Sequence, residues 1–289
     1  MLFVELAVRG LVYGCMYAMM AVGLTLVYGL LRILHIAHAG VFALGAYMAV
    51  VVANATGSLA LGFGVALIVS AAVGVGIYRF AYQPLLGHPP FVPMIVSIGL
   101  FIVMQEGFRM VFGAYGLSFD NNPYYTSTVS LGGIALNYVE LAMVVASIVL
   151  LVGFGLFAGL TRAGIGWRAT VTDPQMATSF GVDPVRVRYL NFMFGSALAG
   201  IAGALVGLLN NYVEPTMGGL VSYKALAIIV LGGLGSVRGT LIASLVLGLV
   251  EAYGTIFIGA WLDRDAIAFL ALIVLLMIRP QGFTGARTA

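Results

Sequence analysis

Long apolar runs follow one another along almost the whole chain, separated by short stretches rich in Gly, Pro, Asn, Asp and Arg. They cover residues 6–30, 36–53, 59–82, 93–112, 137–160, 189–210, 222–235, 238–259 and 265–278. A helix needs about 20 predominantly apolar residues to cross a bilayer. The pattern therefore predicts an all-α, polytopic membrane protein with eight or nine transmembrane helices, in a single transmembrane domain over 1–289. The alternating segments of about ten residues that mark a transmembrane β-barrel are missing. The seventh run is short and glycine-rich. Gly29-Leu30-Leu31-Arg32-Ile33-Leu34-His35 joins the first two runs and is too short for a proper extramembrane loop.

Composition sharpens this. Hydrophobic residues make up 62% of the 289 and charged residues 8%, against roughly 25% charged in soluble domains. No long polar stretch is left over for a catalytic domain. The net charge of +3 comes from basic residues scattered at helix ends, a poor match to nucleic acid. Cys15 is the one cysteine, which excludes an intrachain disulfide. Glu5 and Arg9 do not make a basic leader, and the first run reads as a span rather than a cleavable signal.

Lys and Arg in short loops mark the cytoplasmic side. Residues 110–161 contain neither, which puts the 113–136 loop outside. Arg162, Arg168, Arg186 and Arg188 put the 161–188 loop inside, and Arg279 and Arg287 do the same for the C-terminus. Nine crossings then place the N-terminus outside. Arg264 falls outside, neutralised locally by Asp263 and Asp265. The outer loop holds a polar, aromatic cluster, Asp120-Asn121-Asn122-Pro123-Tyr124-Tyr125, which suits either a docking surface or a structured loop with interfacial tyrosines.

The 161–188 loop carries the clearest local signals. Asp173-Pro174 reads as an N-cap followed by proline at the first helical position, where a missing N–H is harmless. Gly181 fits the left-handed position that ends a helix, and Asp183-Pro184 starts another. The short helix between them places Met176 and Phe180 on one face, with Ala177 beside them and arginines around. An apolar knob rimmed by charge suits insertion into a partner's groove. A helix lying at the membrane interface fits as well.

Two runs are interrupted by glycines, at 28–40 (with Gly29, His35 and His38) and at 232–239 (with Gly232, Gly233 and Gly235). Broken helices at membrane depth survive only against protein or a water-filled cavity, and in transporters such paired breaks point to the substrate path. We expect these residues to line or gate a path, the other reading being close packing through small residues. Gly195, Ala199 and Gly203, four apart, suit packing better.

Ionisable groups inside spans are costly and face protein or water. Glu251, Lys224 and the pair Glu106 and Arg109, three apart, are the candidate buried charges. Glu251 reads as half of a structural pair, with a path or proton-carrying role as the alternative. His35 and His38 have no neighbouring carboxylate or cysteine, so no metal is expected. There is no serine-protease elbow, and the only lysine, Lys224, stands in Ser222-Tyr223-Lys224-Ala225, far from a phosphate-binding loop motif. ATP could drive this chain only through another subunit.

The chain resembles the permease subunits of bacterial branched-chain amino acid ABC importers over nearly its whole length. The resemblance rests on Gly23-Leu24-Thr25-Leu26-Val27-Tyr28-Gly29 running into Ala37-His38, on Ile98-Gly99-Leu100 with Gln105 and Arg109, on Arg162 through Gly207 including Gly195-Ser196-Ala197-Leu198-Ala199-Gly200, and on Leu231-Gly232-Gly233-Leu234-Gly235-Ser236 with Arg279-Pro280-Gln281-Gly282. It departs where the family usually has Asn and Gly around the Ala-His element, since His35 and Ala39 stand there. The order looks like the first of the two paired permeases. The resemblance implies a multi-pass protein of the bacterial inner membrane that is not an enzyme and holds no cofactor. It also implies a sister permease, two ATPase subunits that bind ATP and Mg, and an extracytoplasmic substrate-binding protein. The helix at 173–180 would be the coupling helix. The cargo would be Leu, Ile, Val or a related amino acid. Similar permeases carry urea or short amides, and a stand-alone ion-coupled transporter is the alternative from another class.

Overall fold

In the computed structural model, residues 2–120, 127–131, 134–279 and 282–284 are described. Each of the nine apolar runs forms a helix. These are α1 (Leu2–Leu31), α2 (His38–Thr56), α3 (Leu59–Ile77), α4 (Phe91–Phe112) and α5 (Tyr138–Leu160), then α8 (Pro184–Asn210), α9 (Met217–Gly232), α10 (Val237–Ile258) and α11 (Arg264–Ile278). Between α5 and α8 lie two short helices, α6 (Arg162–Thr172) and α7 (Pro174–Ser179). Among the described residues, seven helices are long and apolar enough to cross a membrane, α3 being continued by a π turn and a 3₁₀ turn to Leu85. With 16 and 15 residues, α9 and α11 reach only about 22–24 Å at 1.5 Å per residue. The seventh run starts five residues earlier than its hydrophobicity suggested, at Met217.

One antiparallel hairpin, β1 (Thr128–Leu131) and β2 (Ile134–Asn137), lies in the loop before α5. Asn137 and Glu140 cap that helix reciprocally. In the predicted polar cluster, Asp120 donates its backbone N–H to Asn54 Oδ1 at 3.1 Å. Asn121, Asn122, Pro123, Tyr124 and Tyr125 lie outside the described residues, as do Pro280 and Gln281.

Burial ranks the helices. In the most apolar stretches of α1 and α8, 83% and 78% of residues are buried, against 17% in α4 and α5. So α1 and α8 form the centre, while α4 and α5 leave a face for lipid or a partner. Close approach at the centre depends on small residues. A Cβ at Gly45 would fall on the Gly200 carbonyl, one at Gly203 on the Phe42 carbonyl, and one at Gly248 on the Gly10 carbonyl.

The chain also repeats itself upside down. α1 and α8 run antiparallel, since Gly23 packs on Gly195 while Asn191 Nδ2 donates to Leu26 O at 2.7 Å. Each ends in a non-glycine residue with positive φ, Arg32 at 53° and Asn211 at 51°. Each is followed by a non-helical stretch of equal length, 32–37 and 211–216, and then by a new helix, α2 or α9. The partners correspond as well: α1 packs on α10 as α8 does on α3, and α2 packs on α4 as α9 does on α11. The starts of α2 and α9 meet, where a Cβ at Gly218 would fall on the Ala39 carbonyl.

Candidate coupling surface and transport site

The described ends of α1, α6, the α9–α10 turn and residues 282–284 gather at one end of the bundle. Gly29 lies 3.8–3.9 Å from Gly235 and Val171 by its would-be Cβ, Phe283 N donates to Leu231 O at 2.7 Å, and Thr284 Oγ1 donates to Gly232 O at 2.6 Å. α7 stands at this end. Asp173 Oδ1 accepts the backbone N–H groups of Gln175 and Met176, both at 3.0 Å. Pro174 follows at the first helical position. Gly181 has φ +83° and returns the chain, with Val182 N donating to Ala177 O at 3.0 Å. Ala177 is the buried anchor, whereas Met176 and Phe180 stand out, 56% and 82% exposed. Exposed apolar side chains on so short a helix make it a candidate contact surface.

Sequence reasoning missed the link from this surface to the core. Trp167 on α6 donates Nε1–H to Asn191 Oδ1 at 3.0 Å, and Asn191 in turn donates to the Leu26 carbonyl of α1 at 2.7 Å. Asn191 is 3% exposed, and a polar residue so near the start of an apolar run was its only signal.

The first break begins at Arg32, not at Gly29, which lies inside α1. Residues 32–37 run back along the bundle until His38 Nε2 meets the Met20 carbonyl at 3.2 Å. Met20 is eleven residues before the end of α1, roughly 16 Å of rise, so α2 starts deep in the membrane. Protein satisfies the exposed backbone there: Ala37 N donates to Ser97 Oγ at 2.9 Å. His35 and His38 are both buried, and His35 Nδ1 meets the Tyr82 hydroxyl at 2.7 Å. No group of three or more His, Cys, Asp or Glu that could hold a metal occurs among the described residues.

The second break falls where the glycines marked it, between Gly232 and Val237, but at the end of the bundle. Gly232, Gly233 and Gly235 form the tight turn between α9 and α10 at the α7 end, where Gly233 and Gly235 have φ of +98° and +84°. A Cβ at Gly232 would meet the Gly239–Thr240 backbone at 2.5–2.7 Å. The true counterpart of 32–37 is 211–216, tied to the opposite end of the bundle by the bridge between Leu117 and Val213.

The charges also regroup. Glu106 and Arg109 do pair, at 2.9 Å, but their side chains are 49% and 42% exposed, so they are not buried within this chain. Glu251 is fully buried and sits in a four-charge network. Its Oε2 accepts from Tyr17 Oη at 2.7 Å and from Arg264 Nε at 2.8 Å. Its Oε1 lies 2.9 Å from Lys224 Nζ, an ion pair whose angles are too poor for a hydrogen bond. Lys224 also donates to Tyr17 Oη at 3.0 Å and pairs with Asp265 at 2.6 Å. Arg264 is therefore neutralised by Glu251 of α10 rather than by its sequence neighbours, and it stacks on the Tyr13 ring at 3.5 Å. Asp263 instead caps α11.

Helices that start and stop at membrane depth, repeated in inverted order around a packed centre, are the architecture of a multi-pass membrane transport protein. A family model described as the branched-chain amino acid transport system permease component matches residues 6–279. The chain belongs to that family and is a transport subunit, not an enzyme. It is 31% identical to the high-affinity branched-chain amino acid transport system permease protein BraD of Pseudomonas aeruginosa, over 98% of this chain and 96% of the relative. It is 28% identical to the LivH permease of Escherichia coli K12, over 98% and 96%. It is 27% identical to the LivM permease of the same organism, over 92% of this chain and 67% of the relative. No solved structure matches it. The family implies the general importer architecture of paired permeases, ATPases and a substrate-binding protein.

Proposed function

We propose that this chain forms one half of the transmembrane pathway of an importer for Leu, Ile, Val or related hydrophobic amino acids, as a single domain over 1–289. The likeness to BraD and LivH over nearly the full length of each carries this reading. The N-terminus lies outside and the C-terminus in the cytoplasm, supported by the arginines of the 161–188 loop. A sister permease completes the pathway. An extracytoplasmic binding protein delivers the cargo, and two ATPase subunits power the cycle.

Asp173, Pro174, Met176, Ala177, Phe180 and Gly181 make the coupling helix. Asp173 and Gly181 fix its ends, Ala177 anchors it, and Met176 and Phe180 enter a groove on the ATPase. Movement of α7 reaches α1 through Trp167 and Asn191. Near the path, His35 and His38 hold the non-helical segment that lets α2 start at depth, and this segment gates passage. Gly29, Gly232, Gly233 and Gly235 form a close-packed pivot beneath it, where α1, the α9–α10 turn and the tail meet.

Gentle detergent purification of the tagged chain from its own host, followed by mass spectrometry, tests this. Two ATPase subunits and a second, similar permease should co-purify, and leucine uptake should require them and the binding protein. A chain that purifies alone and transports alone would overturn the reading and favour an ion-coupled carrier. Uptake of urea or acetamide in place of leucine would move the cargo to the amides.

A further inference from the structure

The most apolar stretches of α4 and α5 are equally little buried, but the outward faces of the two helices differ. On α5 the exposed side chains include Leu141, Val145, Ile148, Val152 and Leu156, an apolar stripe suited to lipid. On α4, Ile95, Ile102 and Val103 stand out in the same way. Glu106 and Arg109 stand out with them, joined to each other and half-exposed.

Contacts with α2 give the depth of this pair. Ser97 accepts the Ala37 backbone N–H where α2 starts in the membrane interior. Phe112, the last residue of α4, stacks on Tyr47 with ring centroids 4.6 Å apart. Tyr47 is still nine residues short of the end of α2, roughly 13 Å of rise. Glu106 and Arg109 lie between these two levels, far from either surface. Charges at such depth must meet protein or water, because lipid does not solvate them. Gly99, two turns before Glu106 on the same face, has nothing within 4 Å of its would-be Cβ. That leaves room for a neighbouring backbone.

We propose that this face of α4, centred on Ile102 and Glu106, is the contact surface for the second permease subunit. Depth selects the partner. ATPases and a binding protein work outside the bilayer and do not reach the level of Tyr47, so whatever covers the pair must itself span the membrane. The intrahelical bond joins Arg109 Nη1 to Glu106 Oε1 and leaves Arg109 Nη2 and Glu106 Oε2 unengaged among the described residues. The partner meets them with an acceptor and a donor at the same depth, and charge-assisted bonds of this kind fix register as well as affinity. Ile95, Ile102 and Val103 pack around this polar centre and exclude water. The inference rests on the paired-permease reading above and adds to it the face by which the pair is held.

The photo-crosslinker p-benzoylphenylalanine replaces Ile102 in the full chain, and native host membranes are irradiated. The same probe in place of Ile148, equally exposed on α5, is the control. The Ile102 probe should give an adduct with the co-purifying sister permease, identified by mass spectrometry, and the Ile148 probe should give none. Exchanging the charges, Glu106→Arg with Arg109→Glu, keeps a pair within α4 but reverses it toward the partner. This variant should recover less sister permease by about tenfold or more, as for a mismatched buried interfacial pair, at unchanged membrane abundance. Should it fail to insert, the Ile102 adduct decides alone. Full recovery of the partner by the exchanged variant overturns the surface. So does an Ile102 adduct with lipid or with another copy of this chain only, or a sister-permease adduct from Ile148 instead. In each of these cases the sister subunit still co-purifies, and the paired-permease reading stands. A wild-type chain that brings no second permease with it overturns both.

Discussion

Glu251→Gln keeps the size of the side chain and removes one charge. In the folded chain the carboxylate is fully buried and touches Tyr17, Lys224 and Arg264 at 2.7–2.9 Å. An amide in its place must turn its NH₂ toward a cation or toward the tyrosine, and the network is left with two cations against Asp265. If the contacts behaved as ordinary hydrogen bonds in a membrane, at about 0.6 kcal/mol each, the three together would contribute about 2 kcal/mol. Breaking a buried ion pair by removing one partner costs about 3–5 kcal/mol, because the remaining charge is stranded. The larger figure should hold here. Adding Lys224→Met restores the balance, so the double variant should be less destabilised than the sum of the two single ones, by about 1–3 kcal/mol. The assay is equilibrium unfolding of the purified chain in mixed micelles, followed by tryptophan fluorescence, for wild type, both single variants and the double. A Glu251→Gln loss below about 1 kcal/mol would show the charge to be solvated. Strict additivity would show that Lys224 and Glu251 do not act as a pair.

Met176→Asp and Phe180→Asp should leave expression normal, because both side chains are exposed, yet abolish uptake while ATP hydrolysis persists; tight coupling in both variants would remove α7 from the ATPase contact. Asn191→Leu should cut leucine uptake per ATP hydrolysed at unchanged membrane abundance, by breaking the Trp167–Asn191–Leu26 link; unchanged stoichiometry counts against that route. Gly45→Ala should destabilise the chain by about 1–3 kcal/mol through overpacking, since its Cβ meets the Gly200 carbonyl. Gly64→Ala, where nothing lies within 4 Å, should be neutral or stabilising by up to about 1 kcal/mol. The same micelle unfolding assay separates the two glycines, and equal effects would contradict the packing described.

What could be read from the sequence were the features written within one or two helical turns. The nine apolar runs became nine helices, because in lipid the backbone has no other way to satisfy its polar groups. Asp173-Pro174 and Asp183-Pro184 cap the two helices they announced, and Glu106 meets Arg109 three residues on, as helical spacing requires. The exposure of that pair could not be read, since spacing gives a common face but not what the face meets. The partners of Glu251 were hidden for a related reason: Arg264 lies 13 residues away and Lys224 27, and only the packing of α1, α9, α10 and α11 brings them together.

The breaks were legible only in part. Glycine does mark the turn after Gly232, whereas Gly45, Gly203 and Gly218 instead admit a neighbouring helix. The two interruptions at depth start at Arg32 and Asn211, which take positive φ at matching points of the two inverted units. A left-handed arginine is uncommon enough that local preference alone would not produce it. Asn211 followed by Pro215 was the better signal, because asparagine tolerates the left-handed region and proline cannot continue a helix. The two units reach the same backbone path through different residues, so it is the depth at which α2 and α9 must start that dictates the turn. A search for repeats of chain direction, cap geometry and connection length would find this symmetry where a search for repeated residues does not.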